Sequence, residues 1–465
     1  SLTTRPLILS TSSIGLGSAV VSCTEANARV QNGNGIFTMK KQISCAVLGL
    51  LILCGLGAAV ESEVSISGAE PVESAAALTH PPFVPNSSLE TATATQLETW
   101  RSQILETLFV SDPLPPLQPE FHGSFKPCAG VRLERITYGT QFGLEIPAIL
   151  YLPDPPMQET PGLIVINGHG GDKYSWYSFY TGVLYARAGV AVLTYDPFGE
   201  GVRNINRLSG TRAHDKLERI PELARRLTGL MVTDVMQAVT YLCQRPDVDS
   251  GRIAAAGHSM GSYILSLAGA VEQRINSCVL VGGGNLDGPG GYWDNSKPMC
   301  QGLSYQSLQY LGDRPAVIYT MHAFRGPTLI FNGLEDTVVA IPTHAQDFFG
   351  DLKRRTIALK GSPENVFDAR FVPNVSHRPF FVTRPVAQWL EEKLDLPNWS
   401  DQDIQAMPDT LISNWARAQN VVMDPPYATP KRSGGTKALG SGVPGLTREQ
   451  LSVFDVGDWE KQKRA

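Results

Sequence analysis

The chain carries little charge of either sign: 18% of its residues are Asp, Glu, Lys or Arg, and no dense Lys/Arg block occurs. A grip on nucleic acid needs a basic face or stripe; with a formal net charge of −5, no such partner is expected. Repeats are lacking as well, because the 44 Gly and 33 Pro are spread through the chain without a period, which excludes collagen-like and repeat architectures. Cysteine is scarce, seven in 465 residues, and no two stand in a C-x-x-C spacing, so no metal ligands are read from it. Hydrophobic residues, at 42%, suffice for a sizeable core and exclude wholesale disorder. Long apolar runs are lacking with one exception.

That exception begins at Met39, the first Met of the sequence, where Lys40 and Lys41 lead into an uncharged run from Ile43 to Val60 that ends in Gly57, Ala58 and Ala59. A basic start, a short apolar stretch and small residues at its end form the layout of a secretory signal. A spanning helix needs about 20 apolar residues, and the run is at or below that length. The organisation expected is a disordered, over-extended N-terminus at 1–38, a signal peptide at 39–59, a linker at 60–95 rich in Ala, Ser, Glu, Pro and Thr, a main domain at 96–396, and a C-terminal extension at 397–465. The extension carries one expected helix at 401–419, and the choice between a docked element and a loose tail stays open. Export would place the mature chain outside the cytoplasm, secreted or periplasmic, with Cys128, Cys243, Cys278 and Cys300 retained. Four cysteines permit two disulfides, and their pairing is open.

Within 96–396, Leu97, Trp100, Ile104 and Leu108 recur at helical spacing and predict a helix over 96–109. Val131–Tyr138 and Leu144–Leu152 read as an antiparallel hairpin. Short apolar runs then alternate with helical segments: Leu163–Ile166 before 174–189, Val190–Thr194 before 221–244, Ile253–Ala256 before 260–271, and Cys278–Gly282 before a Gly-rich insertion at 284–325. Thr328–Phe331 before 342–354 and Thr356–Leu359 before 381–394 complete the series. Such alternation implies an α/β fold with a mainly parallel sheet covered on both faces, the insertion following the sixth strand. Ligands bind such sheets outside the carboxyl ends of the strands.

Gly257-His258-Ser259-Met260-Gly261 stands between a predicted strand and a predicted helix, the setting of a nucleophile elbow. Glycines two before and two after Ser259 allow a tight turn that exposes its hydroxyl. A serine hydroxyl needs a base, and His377 lies C-terminal to it, in a loop after the last predicted strand. The carboxylate to hold that imidazole is Asp336, in the loop after Thr328–Phe331, with Glu335 and Asp287 as rivals. Two backbone N–H groups are needed for the oxyanion: those of Met260 and of Gly170 in Asn167-Gly168-His169-Gly170-Gly171, with Gly171 nearly equal to Gly170. His258, His322 and His344 are read as ordinary surface or core histidines, Cys243 and Cys278 as buried thiols, and Asp196 with Arg203 as a structural ion pair.

The order of glycine-rich loop, elbow, acid and base resembles the α/β-hydrolase superfamily over residues 130–396. The segments IPAILYLPDPP at 146–156, INGHGG at 166–171, TYDPFGEGVR at 194–203 and SHRPFF at 376–381 are similar to its acetyl xylan esterase and dienelactone-hydrolase-like branch. This resemblance implies a serine carboxylic ester hydrolase with Ser259 as nucleophile, Asp336 as acid and His377 as base, needing neither metal nor cofactor. A small-molecule or polysaccharide ester is the implied substrate; from their aromatic rings, Tyr292 and Trp293 of the insertion are the candidates to stack on a sugar or an aromatic acyl group. The aromatics Trp176, Tyr177 and Tyr180 read as core. A peptidase or amidase with the same triad, or a catalytically silent binding protein, are the other readings of the same residues.

Overall fold

The computed structural model of the chain describes residues 27–32, 35–40, 93–283, 299–377, 381–405 and 446–453. Its contacts divide it into two units, Ser1–Ala76 and Ala77–Ala465. In the first, strands β1 (Asn27–Asn32) and β2 (Gly35–Lys40) pair antiparallel from Asn27↔Lys40 to Asn32↔Gly35. The expectation of no structure in 1–38 is thereby corrected for these residues. Asn32-Gly33-Asn34-Gly35 carries the Asn-Gly chemistry of two-residue hairpin connections, a signal the sequence reading passed over. From residue 41 the expected signal peptide, and the linker as far as residue 92, lie outside the described residues.

The second unit opens with helix α1 (Ala94–Thr107), where the Thr93 side chain accepts from the N–H of Gln96 at 3.2 Å and Trp100, Ile104 and Leu105 form the buried stripe. Nine strands follow in one sheet: β3 (Glu120–Cys128), β4 (Val131–Gly139), β5 (Glu145–Pro153), β6 (Thr160–Ile166), β7 (Ala191–Tyr195), β8 (Val248–His258), β9 (Ser277–Val281), β10 (Thr328–Gly333) and β11 (Phe367–Val372). Their order across the sheet is β11-β10-β9-β8-β6-β7-β5-β4-β3. The six strands β7, β6 and β8 to β11 run parallel, while β3, β4 and β5 are antiparallel to their neighbours.

Successive side chains of each parallel strand face opposite layers. Leu163 and Val165 of β6 enter one core with helices α2 (Trp176–Arg187) and α8 (Arg384–Leu394). Ile164 and Ile166 enter the other, with α3 (Pro221–Cys243), α4 (Met260–Val271), α5 (Met299–Gln306), α6 (Arg314–Ala323) and α7 (Ile341–Lys360). Burial on both faces is why these strands read as continuous apolar runs.

Three expectations are corrected. Strand β3 was not anticipated, because an edge strand with Gly123, Pro127 and two register shifts lacks a clean alternation. Thr356–Leu359 is not a strand but the last turn of α7, closed by Gly361 at φ 75°, whose N–H donates to the Ile357 carbonyl at 2.9 Å. The last strand is instead β11. With β3 counted, the insertion follows the seventh strand of the sheet, and its described part is helical, in α5 and α6.

The described parts of the C-terminal extension are docked. The N–H of Asn398 donates to the Ala188 carbonyl at 3.0 Å, Trp399 lies 5.3 Å from Tyr185, and Leu446 and Leu451 join the core of α2 and α8. A short helix, α9 (Asp401–Gln405), begins where the 401–419 helix was expected; residues 406–445 lie outside the described residues.

His322 of α6 is buried, with Nε2 donating to the Ser266 carbonyl and Nδ1 3.2 Å from Thr328 Oγ1. Burial pushes its pKa down from 6.5 to about 4. In that window the unfolded chain binds a proton that the folded chain refuses, so stability is full above pH 6.5 and falls as the pH drops toward about 4. His322→Gln should therefore flatten the acid side of a plot of urea midpoint against pH, removing at most about 3 kcal/mol of its fall.

Candidate active site

Strand β8 ends at His258, α4 starts at Met260, and Ser259 between them has φ 57° and ψ −117°. Its neighbours impose this conformation. A Cβ on Gly257 would lie 2.4 Å from the Gly261 carbonyl oxygen, and one on Gly261 would lie 2.2 Å from that of Ile166. Only glycine lets strand and helix close so tightly, and the serine held between them bears backbone strain of about 1–3 kcal/mol. The N–H of Ser259 donates to the Val281 carbonyl at 2.9 Å. The N–H of Met260 belongs to the first turn of α4, where amides have no acceptor within the helix.

Asp336 follows β10 and is fully buried. Its Oδ1 accepts from the N–H groups of Val338 at 3.0 Å and Val339 at 3.3 Å, and its Oδ2 accepts from His377 Nδ1 at 2.7 Å. The carboxylate oxygen accepts in this bond, so Nδ1 carries its proton. Glu335, the rival beside it, is exposed; Asp287 lies outside the described residues. Backbone bonds join the two loops: Leu334 N–H to Val372 and Glu335 N–H to Val375. The His377 ring packs on Gly282, where a Cβ would come within 3.0 Å of Cε1, and stands 4.9 Å from the His258 ring. Gly282 directly follows the residue that accepts from Ser259, so the elbow and the Asp336–His377 pair meet at the end of β9.

The glycine-rich loop after β6 closes the third side. A Cβ on Gly168 would lie 3.0 Å from Ser259 Cβ. Gly170 has φ 72°, and the N–H of Gly171 is committed to the Gly168 carbonyl at 2.9 Å. That commitment favours Gly170 over Gly171 as an outward donor. Sequence reasoning missed the residues that hold these loops. Asn167 donates to Thr194 Oγ1 and to the Tyr195 carbonyl, each at 3.2 Å, and accepts from Ser178 Oγ at 2.5 Å. Asn332 spans the end of β9, accepting from the Gly283 N–H and donating to its carbonyl, both at 3.0 Å. An Asn at each of two strand ends was the available signal.

Asp196 and Arg203 do not pair, which corrects the expected ion pair. Gly201, at φ 56°, folds the chain over Asp196, whose carboxylate takes the N–H groups of Lys173 (3.1 Å) and Val202 (2.8 Å) and pairs with the buried Lys173 ammonium. Arg203 pairs with Asp234 and donates to the Asp196 carbonyl at 3.3 Å. Burial raises the Asp234 carboxyl, opposed by the Arg203 charge. Tyr177 and Tyr180 are buried as expected, and Tyr177 Oη accepts from the Gly168 N–H at 3.3 Å. Tyr292 and Trp293 lie outside the described residues. Cys128, Cys243, Cys278 and Cys300 are free thiols, and burial pushes Cys278 up to about 12.

Among the described residues no helix is long and apolar enough to cross a membrane. Solved structures similar to this chain include acetyl xylan esterase 1 from Thermoanaerobacterium sp., 18% identical over 68% of this chain and 99% of that one, with a TM-score of 0.43. The acetyl xylan esterase from Paenibacillus sp. is 16% identical over 67% and 100%, with a TM-score of 0.43. The glucuronoyl esterase from Solibacter usitatus is 14% identical over 66% and 94%, with a TM-score of 0.46. Likeness this weak bears neither on reaction nor on substrate. No curated protein matches the sequence. Residues 163–432, well over half of the chain, match the Alpha/beta hydrolase family, and the chain belongs to that family.

Proposed function

We propose that the chain is a serine carboxylic ester hydrolase in which Ser259 is the nucleophile, His377 the base and Asp336 the residue that orients it. The observation that carries this reading is the 2.7 Å bond from His377 Nδ1 to the buried Asp336 carboxylate, on a ring packed against the Ser259 elbow. With Nδ1 given to the carboxylate, Nε2 is the ring nitrogen that would serve as general base.

In the first step Ser259 Oγ attacks the ester carbonyl carbon while His377 Nε2 takes its proton. The carbonyl electron pair moves to oxygen, which the N–H groups of Met260 and Gly170 receive. Collapse of the tetrahedral species breaks the bond to the alcohol, and the leaving oxygen takes the proton from His377. Water then enters by the same route and frees the acid from Ser259. Asp336 stabilises the imidazolium that forms in each half without taking its proton.

We infer an acetyl group on a polysaccharide as the ester from the four sequence segments that resemble the acetyl xylan esterase branch, and export from the signal-like run at 39–59. Purified protein offered aryl acetates, acetylated oligosaccharides and peptide amides should cleave the first two and leave the amides; preferential amide cleavage would support the peptidase reading instead. Ser259→Ala should lower kcat/KM on an aryl acetate by about 10^6-fold, and Asp336→Asn by about 10^4-fold through the wrong tautomer. Undiminished hydrolysis by Ser259→Ala would refute the assignment.

A further inference from the structure

A second cluster of reactive side chains lies beside the glycine-rich loop. His169 comes from the loop after β6, His214 and Asp215 from the turn Ala213–Lys216 in the connection between β7 and α3, and Cys300 from the first turn of α5. One atom of each, His169 Nε2, His214 Nε2, an Asp215 oxygen and Cys300 Sγ, lies within 4.8 Å of all the others. His214 and Cys300 are buried, and the side chains of His169 and Asp215 are only 13% and 15% exposed.

Four of the six separations match a coordination shell, and the other two, from His214 Nε2 to His169 Nε2 and to Cys300 Sγ, are at most 4.8 Å. Tetrahedral zinc, with bonds near 2.0–2.1 Å to nitrogen or oxygen and about 2.3 Å to sulfur, sets about 3.3 Å between two light ligands and about 3.6 Å between a light ligand and sulfur. His169 Nε2 is 3.1 Å and His214 Nε2 is 3.4 Å from Asp215 Oδ1. Cys300 Sγ is 3.6 Å from His169 Nε2 and 3.7 Å from Asp215 Oδ1.

The surroundings prepare the donor atoms. His214 Nδ1 lies 3.2 Å from the Phe198 carbonyl oxygen, which only accepts, so the ring proton is on Nδ1. Nε2 then presents its lone pair toward a carboxylate oxygen, buried and with no hydrogen-bond partner. Two acceptors facing each other at 3.4 Å call for a cation between them. Asp215 Oδ2 is taken by Arg212, whose Nε donates at 2.7 Å, which leaves Oδ1 turned inward. Such outer contacts are how proteins orient metal ligands. Two neutral imidazoles, one carboxylate and one thiolate balance a divalent cation.

We propose that His169 Nε2, His214 Nε2, Asp215 Oδ1 and Cys300 Sγ bind one divalent transition metal ion, with zinc the best match to this donor set and geometry. Four protein ligands leave no open position, so the ion is a structural clamp and not a reagent. It ties the loop after β6, the β7–α3 connection and the insertion together in the chain neighbourhood of Gly170. A role in holding that N–H toward an oxyanion rests on the proposed function, whereas metal binding itself does not. The cysteine spacing in the sequence was blind to this set because its four ligands come from three distant segments.

Cobalt(II) is the probe. Full-length protein stripped with a chelator is titrated with CoCl2 and followed by absorption. Wild type should bind one equivalent, show the visible bands of tetrahedral cobalt and a near-ultraviolet thiolate charge-transfer band, and lose both when one equivalent of ZnCl2 is added. Cys300→Ser should abolish the charge-transfer band and weaken zinc binding at least 100-fold; Asp215→Asn should keep that band while weakening zinc at least 10-fold. Absence of stoichiometric cobalt binding by the folded wild type overturns the proposal, whatever the variants do. So does a charge-transfer band that survives in Cys300→Ser. Because the readout is optical, an esterase assay that fails leaves the result intact, and a failed titration leaves the Ser259 assignment untouched.

Discussion

Everything at the site depends on how closely β8, α4 and β6 approach at two glycines. With Gly261 against the Ile166 carbonyl and Gly257 against the Gly261 carbonyl, no side chain fits at either position, and Ser259 is forced to positive φ. The same closeness brings the loop after β6 onto Ser259, since Gly168 packs on its Cβ. One steric constraint therefore positions the hydroxyl, the first-turn N–H of Met260 and the glycine-rich loop together. The cost is local backbone strain, offset by the extensive apolar burial of the parallel strands and of α4, whose described side chains are all buried.

Electrostatics complete what sterics begin. Asp336 is buried, yet its two oxygens share three hydrogen bonds, two from backbone N–H groups and one from His377. Both oxygens of the buried carboxylate therefore have donors, and the one facing His377 is placed for the role proposed for it. Around it, polar side chains tie loop to loop: Asn332 across the end of β9, Asn167 under the glycine-rich loop, and the Lys173–Asp196 and Arg203–Asp234 pairs beneath the β7–α3 connection. These contacts hold the loops with fixed partners, so the proposed reaction would need little reorganisation of them.

What was legible in the sequence follows from the same physics. Strands buried on both faces betray themselves as apolar runs, and α4 was read from the sequence with its observed bounds because the glycine elbow marks its start. Edge strand β3 and strand β11 carry mixed patterns, since each has only one neighbour in the sheet, and both escaped notice. Thr356–Leu359 misled because a β-branched, apolar last turn of a helix cannot be told from a short strand by period alone. Asp336 and His377 were reachable through chain order, as loop residues after successive strands. The partners of Asn167, Asn332, His214 and Asp215 were not, because tertiary contacts between segments far apart in the chain set them.

The central claim is that the strained serine is the one activated nucleophile of this fold, and covalent trapping tests it most directly. Wild-type protein treated with a fluorophosphonate, digested and mapped by mass spectrometry should carry a single phosphonyl adduct on Ser259, with labelling much slower in a chain whose His377 is replaced by Ala. An unlabelled protein, or an adduct on a different residue, would contradict the account.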